Sequence, residues 1–147
     1  MKTEVILRCK HLIDARIAVI RDQLKDLVDG ASNDAKSTAG DKHETARAMM
    51  QIEQEKLANQ LKLMLSQEQS LQRIQGVRSS GCIINGSLVE TNYGWIYISV
   101  PLGRVEVNAT QVMCLSAQSP LGVNLMGKAI GEKVQINAAE YLVKSIF

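Results

Sequence analysis

Ile6-Leu7-Arg8-Cys9-Lys10-His11-Leu12-Ile13-Asp14-Ala15-Arg16-Ile17-Ala18-Val19-Ile20-Arg21-Asp22-Gln23-Leu24-Lys25-Asp26-Leu27 repeats an aliphatic residue every seven positions, at Ile6, Ile13, Ile20 and Leu27. Ile17 and Leu24 fill the intermediate positions, which makes a heptad seam on an α-helix extending from Thr3 to about Val28, with Val5, Leu12 and Val19 widening the stripe. A break rich in Gly, Ser, Asn, Asp and Ala is expected over Asp29 to Gly40. A second seam follows, with Met50, Leu57, Met64 and Leu71 at the same spacing, Ala46 and Leu61 beside them, and neither Pro nor Gly before Gly76. Neither seam can be buried alone, so two long helices joined by a short polar loop must pack antiparallel. At ~1.5 Å per residue, helices of about 25 to 35 residues reach roughly 40 to 50 Å.

Beyond Gly76 the period changes to that of strands. Ser87 to Thr91, Trp95 to Val100, Val105 to Val107, Val112 to Ser116, Lys133 to Asn137 and Tyr141 to Ile146 read as strands, with turns at Thr91-Asn92-Tyr93-Gly94 and Pro101-Leu102-Gly103-Arg104. The fold class is therefore α+β: an N-terminal antiparallel helical hairpin (a coiled coil), residues 1–76, then a small, largely antiparallel sheet domain with one short helix, residues 77–147. The hinge is expected around Gln75 to Gly81.

The chain has 147 residues, of which 22% are charged and 46% hydrophobic, within the ordinary range for globular proteins. No apolar run approaches the roughly 18 residues of a membrane span, and charges at Lys2, Glu4, Arg8 and Lys10 leave no signal-peptide core, so a cytoplasmic protein without membrane contact is expected. Cys9, Cys82 and Cys114 lack zinc or redox spacing and read as buried thiols. A net charge of +2 is too small to argue for nucleic-acid binding, but it is unevenly spread. Asp26 to Glu44 holds five acids against Lys36 and Lys42, a local charge of about −3 that repels phosphate and attracts cations or basic surfaces.

Ser119-Pro120-Leu121-Gly122-Val123-Asn124-Leu125-Met126-Gly127-Lys128-Ala129-Ile130-Gly131-Glu132-Lys133-Val134 is a second decisive stretch. Ser119 can cap a helix that starts at Pro120, and Gly127 and Gly131 permit tight turns into a strand. The stretch resembles the C-terminal signature of the Gre family of transcript cleavage factors. Gly86-Ser87-Leu88-Val89 and Tyr97-Ile98-Ser99-Val100 are similar to strands of the same family, and the order of parts matches over the whole chain. The resemblance implies an FKBP-like sheet domain that docks at the secondary channel of RNA polymerase, with Ser119, Pro120, Leu121, Gly122, Leu125, Gly127 and Lys128 in the docking segment.

The family also carries an Asp and a Glu three residues apart at the hairpin tip, in a Gly-Asp-x-x-Glu context that Gly40-Asp41-Lys42-His43-Glu44 matches. A spacing of three sets both carboxylates on one face of a helical turn, close enough to share a Mg²⁺ ion. The resemblance makes Asp41 and Glu44 the catalytic and metal-holding pair, completing a Mg²⁺ site in the polymerase's active centre and acting only indirectly on the nascent RNA 3′ end. The chemistry is then two-metal phosphodiester hydrolysis, and the chain is an activator with no cofactor of its own rather than a nuclease. Two features point elsewhere. The family's Asn-Ala-Glu-Tyr after the Glu is here Thr45-Ala46-Arg47-Ala48, and a shifted alignment sets the acidic pair opposite Lys36 and Ala39. Asp41 is moreover a good N-cap, with Glu44 completing a capping box.

The competing functions are a Gre-like or Rnk-like regulator that fills the channel without cleavage, a prolyl isomerase and a thiol acyltransferase. The isomerase needs an aromatic cleft and the chain has five aromatic residues; the thiol enzyme needs a base and the sheet domain has no His. His11 and His43 read as surface or interface residues, Met49, Met50 and Met64 as seam fillers, and Tyr93, Trp95 and Tyr97 as sheet core or edge. The Arg16, Arg21 and Lys25 group reads as a solvated helix face, and a monomer is expected.

Overall fold

The computed structural model describes residues 1–37 and 41–147, and within these the side chains outside 31–43. Helix α1 spans Lys2–Ser37 and α2 spans Asp41–Ile74. The first helix does not stop at Val28 as the Gly, Asn and Ser content suggested. Such residues cost at most about 1 kcal/mol each in a helix, a weak prior that neighbouring helical turns override.

By contacts the chain divides into Leu12–Glu68 on one side and Met1–His11 with Gln69–Phe147 on the other. The described residues of the first unit are all helical. Its buried apolar side chains are Ile13, Ile17 and Ile20 of α1 and Leu57 and Met64 of α2, all seam positions, and Leu24, Leu27, Met50 and Leu61 are half-buried. Among the described residues of the unit there is no other element, so these side chains bury against one another. Two expected seam members fall outside it: Val19 is 56% exposed and Met49 66%. Met49 is one residue off the heptad and so about 100° round the helix from Met50.

The second unit is built on six strands: β1 Leu88–Thr91, β2 Gly94–Ser99, β3 Gly103–Val107, β4 Thr110–Ser116, β5 Lys133–Ile136 and β6 Ala139–Ile146. Their order is β3-β4-β2-β1-β6-β5. Four of the pairings are antiparallel, as expected; β2 and β4 run parallel, with Tyr97 beside Cys114 and Ile98 beside Leu115. The sheet is therefore mixed. Strand β3, lying outside β4, is what lets the chain return to β2 in the same direction.

Alternation along the strands makes two apolar faces. On one, Ile96 and Ile98 join Ile83, Val89, Leu125, Val134 and Val143 in a single core. The opposite face carries the buried Leu88, Tyr97, Val105, Val112 and Cys114. The first turns of α1 belong to this unit: Cys9 meets Cys114, and the Lys2 ammonium donates to the carbonyls of Val77 (2.7 Å) and Phe147 (3.2 Å). No described helix is long and apolar enough to cross a membrane.

Candidate functional site

Helix α2 begins at Asp41, so positions 41 and 44 lie one turn apart on one helical face. The side chain of Asp41 lies outside the described residues, as do those of His43 and most of the acidic segment. Glu44 is described and is exposed, as is Arg47 one turn further on. Among the described residues no group of three or more His, Cys, Asp or Glu side chains could hold a metal ion. Two carboxylates from one helical turn fill fewer than the six positions of a Mg²⁺ shell, so such an ion would take its remaining ligands from elsewhere.

The Ser119–Val134 run is fully described. Ser119 is the N-cap of α3, Pro120–Leu125, with extended backbone (φ −65°, ψ 157°) and Pro120 in the first turn. Its Oγ accepts from the Gly122 amide at 3.0 Å and donates to the Ser116 carbonyl at 2.7 Å. Gly122 is required here on steric grounds. A Cβ at this position would lie 2.2 Å from the Ser116 carbonyl oxygen and 2.9 Å from Ser119 Oγ. Leu125 is fully buried in the core. Beyond it the Gly127 amide donates to Ile83 O, the Ile83 amide donates to Lys128 O, and the Gly131 amide donates to Val143 O, each at 2.8 Å. Glu132 Oε2 accepts from the Ala129 amide at 2.6 Å.

The seven residues expected to dock thus separate by burial. Gly122 and Leu125 are inside, and Ser119 and Gly127 shape the backbone. A partner can reach Pro120, which is exposed, Leu121 and Lys128, both half-buried, and also Val123 and Ile130, each 60% exposed. Val123 and Ile130 were missed, although two apolar residues beside turn glycines were a usable signal.

Leu121 also lines a cleft of about 360 Å³ together with Tyr93, Trp95, Ile96, Arg104, Gln111, Met113 and Tyr141. Tyr93 and Tyr141 meet with ring centroids 4.8 Å apart and planes inclined by 54°. The aromatics are few, but the fold gathers three of them at this one cleft, beside an exposed guanidinium. Tyr97, by contrast, is core, as expected. Such a cleft can take an apolar or aromatic side chain of a peptide, with Arg104 facing a carboxylate or a carbonyl.

No family model matches the sequence, and no curated protein sequence matches it. Among solved structures the chain is similar to the GreA factor homolog 1 (Gfh1) protein of Thermus thermophilus, at 17% identity over 94% of each chain with a TM-score of 0.35.

Proposed function

We propose that this chain is a Gre-type elongation factor that enters the secondary channel of RNA polymerase and stimulates the polymerase's own cleavage of backtracked RNA. One observation carries the reading: a single chain joins two long packed helices, the second of which starts at Asp41, to a unit that contains the Ser119–Val134 run. The sheet unit docks through Leu121, Val123, Lys128 and Ile130 and the adjoining aromatic cleft. Asp41 and Glu44 supply carboxylates to a Mg²⁺ ion shared with the polymerase, which on this reading furnishes the Lewis acid for phosphodiester hydrolysis. The chain itself binds, positions the acids and contributes charge; it is an activator and not an enzyme.

A second reading is favoured by Arg47. Exposed one turn beyond Glu44, its cation opposes the gathering of a metal at that carboxylate, and the chain would then fill the channel without promoting cleavage. The test is RNA shortening in a stalled, backtracked complex made with the source organism's polymerase. Cleavage by the wild type that falls at least tenfold in Asp41→Ala and Glu44→Ala, with binding retained, is the expected result. Binding without cleavage in all three proteins selects the channel-filling regulator, and absence of binding overturns both.

A further inference from the structure

Cys9 and Cys114 are 105 positions apart in sequence, yet their sulfurs lie 3.5 Å from each other, both fully enclosed and both in the same compact unit. Cys82, the third cysteine, is half-buried and stands apart from the pair. We propose that Cys9 and Cys114 are a modification site, a dithiol that hydrogen peroxide or a related hydroperoxide closes to a disulfide between α1 and β4.

Three features of the surroundings support it. A disulfide needs the sulfurs to approach by roughly 1.5 Å, a shift within the reach of side-chain rotation in a packed site. The edge strand β3 sets Gly103, which has no side chain, directly opposite Cys114, so a small oxidant coming from that edge meets less obstruction than elsewhere on this face. Tyr97, the neighbour of Cys114 across the β2–β4 pairing, is buried with a hydroxyl that has no hydrogen-bond partner, a donor available to an oxygen lodged beside the sulfurs. The thiol contact also divides the two sulfurs. With Cys114 as the donor, the contact lowers the pKa of Cys9 below the ordinary thiol value and, with burial, raises that of Cys114, which makes Cys9 the attacking sulfur.

The chemistry balances in two steps. The Cys9 sulfur attacks one peroxide oxygen, the O–O bond breaks, and the other oxygen leaves as water with the thiol proton, so that Cys9 becomes a sulfenic acid. The Cys114 sulfur then attacks the Cys9 sulfur, the S–O bond breaks, and a second water leaves with the Cys114 proton. Two thiols and one peroxide give one disulfide and two waters. The sulfurs lose two electrons and the peroxide oxygens gain them.

The experiment treats the folded Cys82→Ser chain with a few equivalents of hydrogen peroxide, blocks the remaining thiols with an alkylating agent, and reads intact mass and joined peptides. The proposal expects loss of two hydrogens, a linked peptide pair containing Cys9 and Cys114, reversal by dithiothreitol, and a melting temperature raised by roughly 10 °C in the oxidised form. Cys9→Ser should remove both the link and the melting shift, and the wild-type chain should show the same link, so the result does not depend on how well any variant folds. Two unlinked thiols in wild-type protein that circular dichroism shows to be folded would overturn the proposal, as would sulfinic acid at Cys9 with Cys114 unreacted.

Discussion

The helical unit and the sheet unit are specified in different ways. Among the described side chains of Leu12–Glu68 burial is confined to a stripe, and those beside it, Val19, Val28, Met49, Ile52 and Leu63, stand in solvent. In the sheet unit the buried residues come from strands, loops and α3 alike, and loop backbone groups each take a specific partner, as Gly127 does with Ile83 and Gly131 with Val143. A heptad tolerates error because each position is one of many equivalent contacts. A capped turn such as Ser116–Gly122 does not, because its few hydrogen bonds converge on the same atoms, Ser119 Oγ and Ser116 O.

The same substitution should therefore have opposite signs in the two units. Gly122→Ala drives a Cβ into the Ser116 carbonyl oxygen, which is backbone and cannot yield cheaply, and the expected cost is roughly 3 kcal/mol. Gly30 lies within α1 with nothing within 4 Å of the Cβ it would gain, so Gly30→Ala should stabilise by about 1 kcal/mol. Urea midpoints for the two variants decide it. A Gly122→Ala chain as stable as the wild type would mean that the turn is not specified atom by atom.

Ser119→Ala sharpens the contrast at a smaller scale. It removes the cap on the Gly122 amide and the bond to Ser116 O while leaving α3's Pro120 and the core contact of Leu125 in place. The expected loss is about 1 to 2 kcal/mol, and amide exchange should quicken at Gly122 and Val123 before it does in β2. Uniform acceleration over the whole unit would contradict the local assignment.

These contrasts also explain what could be read from the sequence. The seams were legible because repetition reinforces itself: one misjudged methionine, Met49, did not disturb the hairpin. The strands were legible because alternation survives local noise, and their observed limits differ from the expected ones by a residue or two at the ends. The end of α1 was not legible, because Gly30 and the polar residues after it signal a loop only weakly against helical neighbours. Nor was the parallel pairing of β2 with β4, which depends on where β3 lies and leaves no local trace. At the site, the Ser119 cap and the turn glycines Gly127 and Gly131 were visible in the sequence, whereas the steric need for Gly122 depends on where the Ser116 carbonyl lies. The meeting of Tyr93, Trp95 and Tyr141 at one cleft, and that of Cys9 with Cys114, depend on tertiary placement that no local pattern encodes.

The smallest effect concerns a turn whose usual signal is missing. Val107 pairs with Thr110, so β3 and β4 are joined by the two residues Asn108 and Ala109, and both have positive φ, 50° and 63°. A two-residue hairpin of this kind favours Asn-Gly because its second residue is left-handed. Alanine there crowds its Cβ against the carbonyl, at a cost of about 1 kcal/mol relative to an unstrained conformer. Glycine removes that crowding but adds freedom to the unfolded chain, which returns part of the gain. Ala109→Gly should therefore raise stability by roughly 0.5 kcal/mol, read as a higher urea midpoint at unchanged slope. It would be the rare change that makes the sheet unit, and not the hairpin, the tolerant one. A lower midpoint would mean that strain at Ala109 is smaller than the entropy glycine adds.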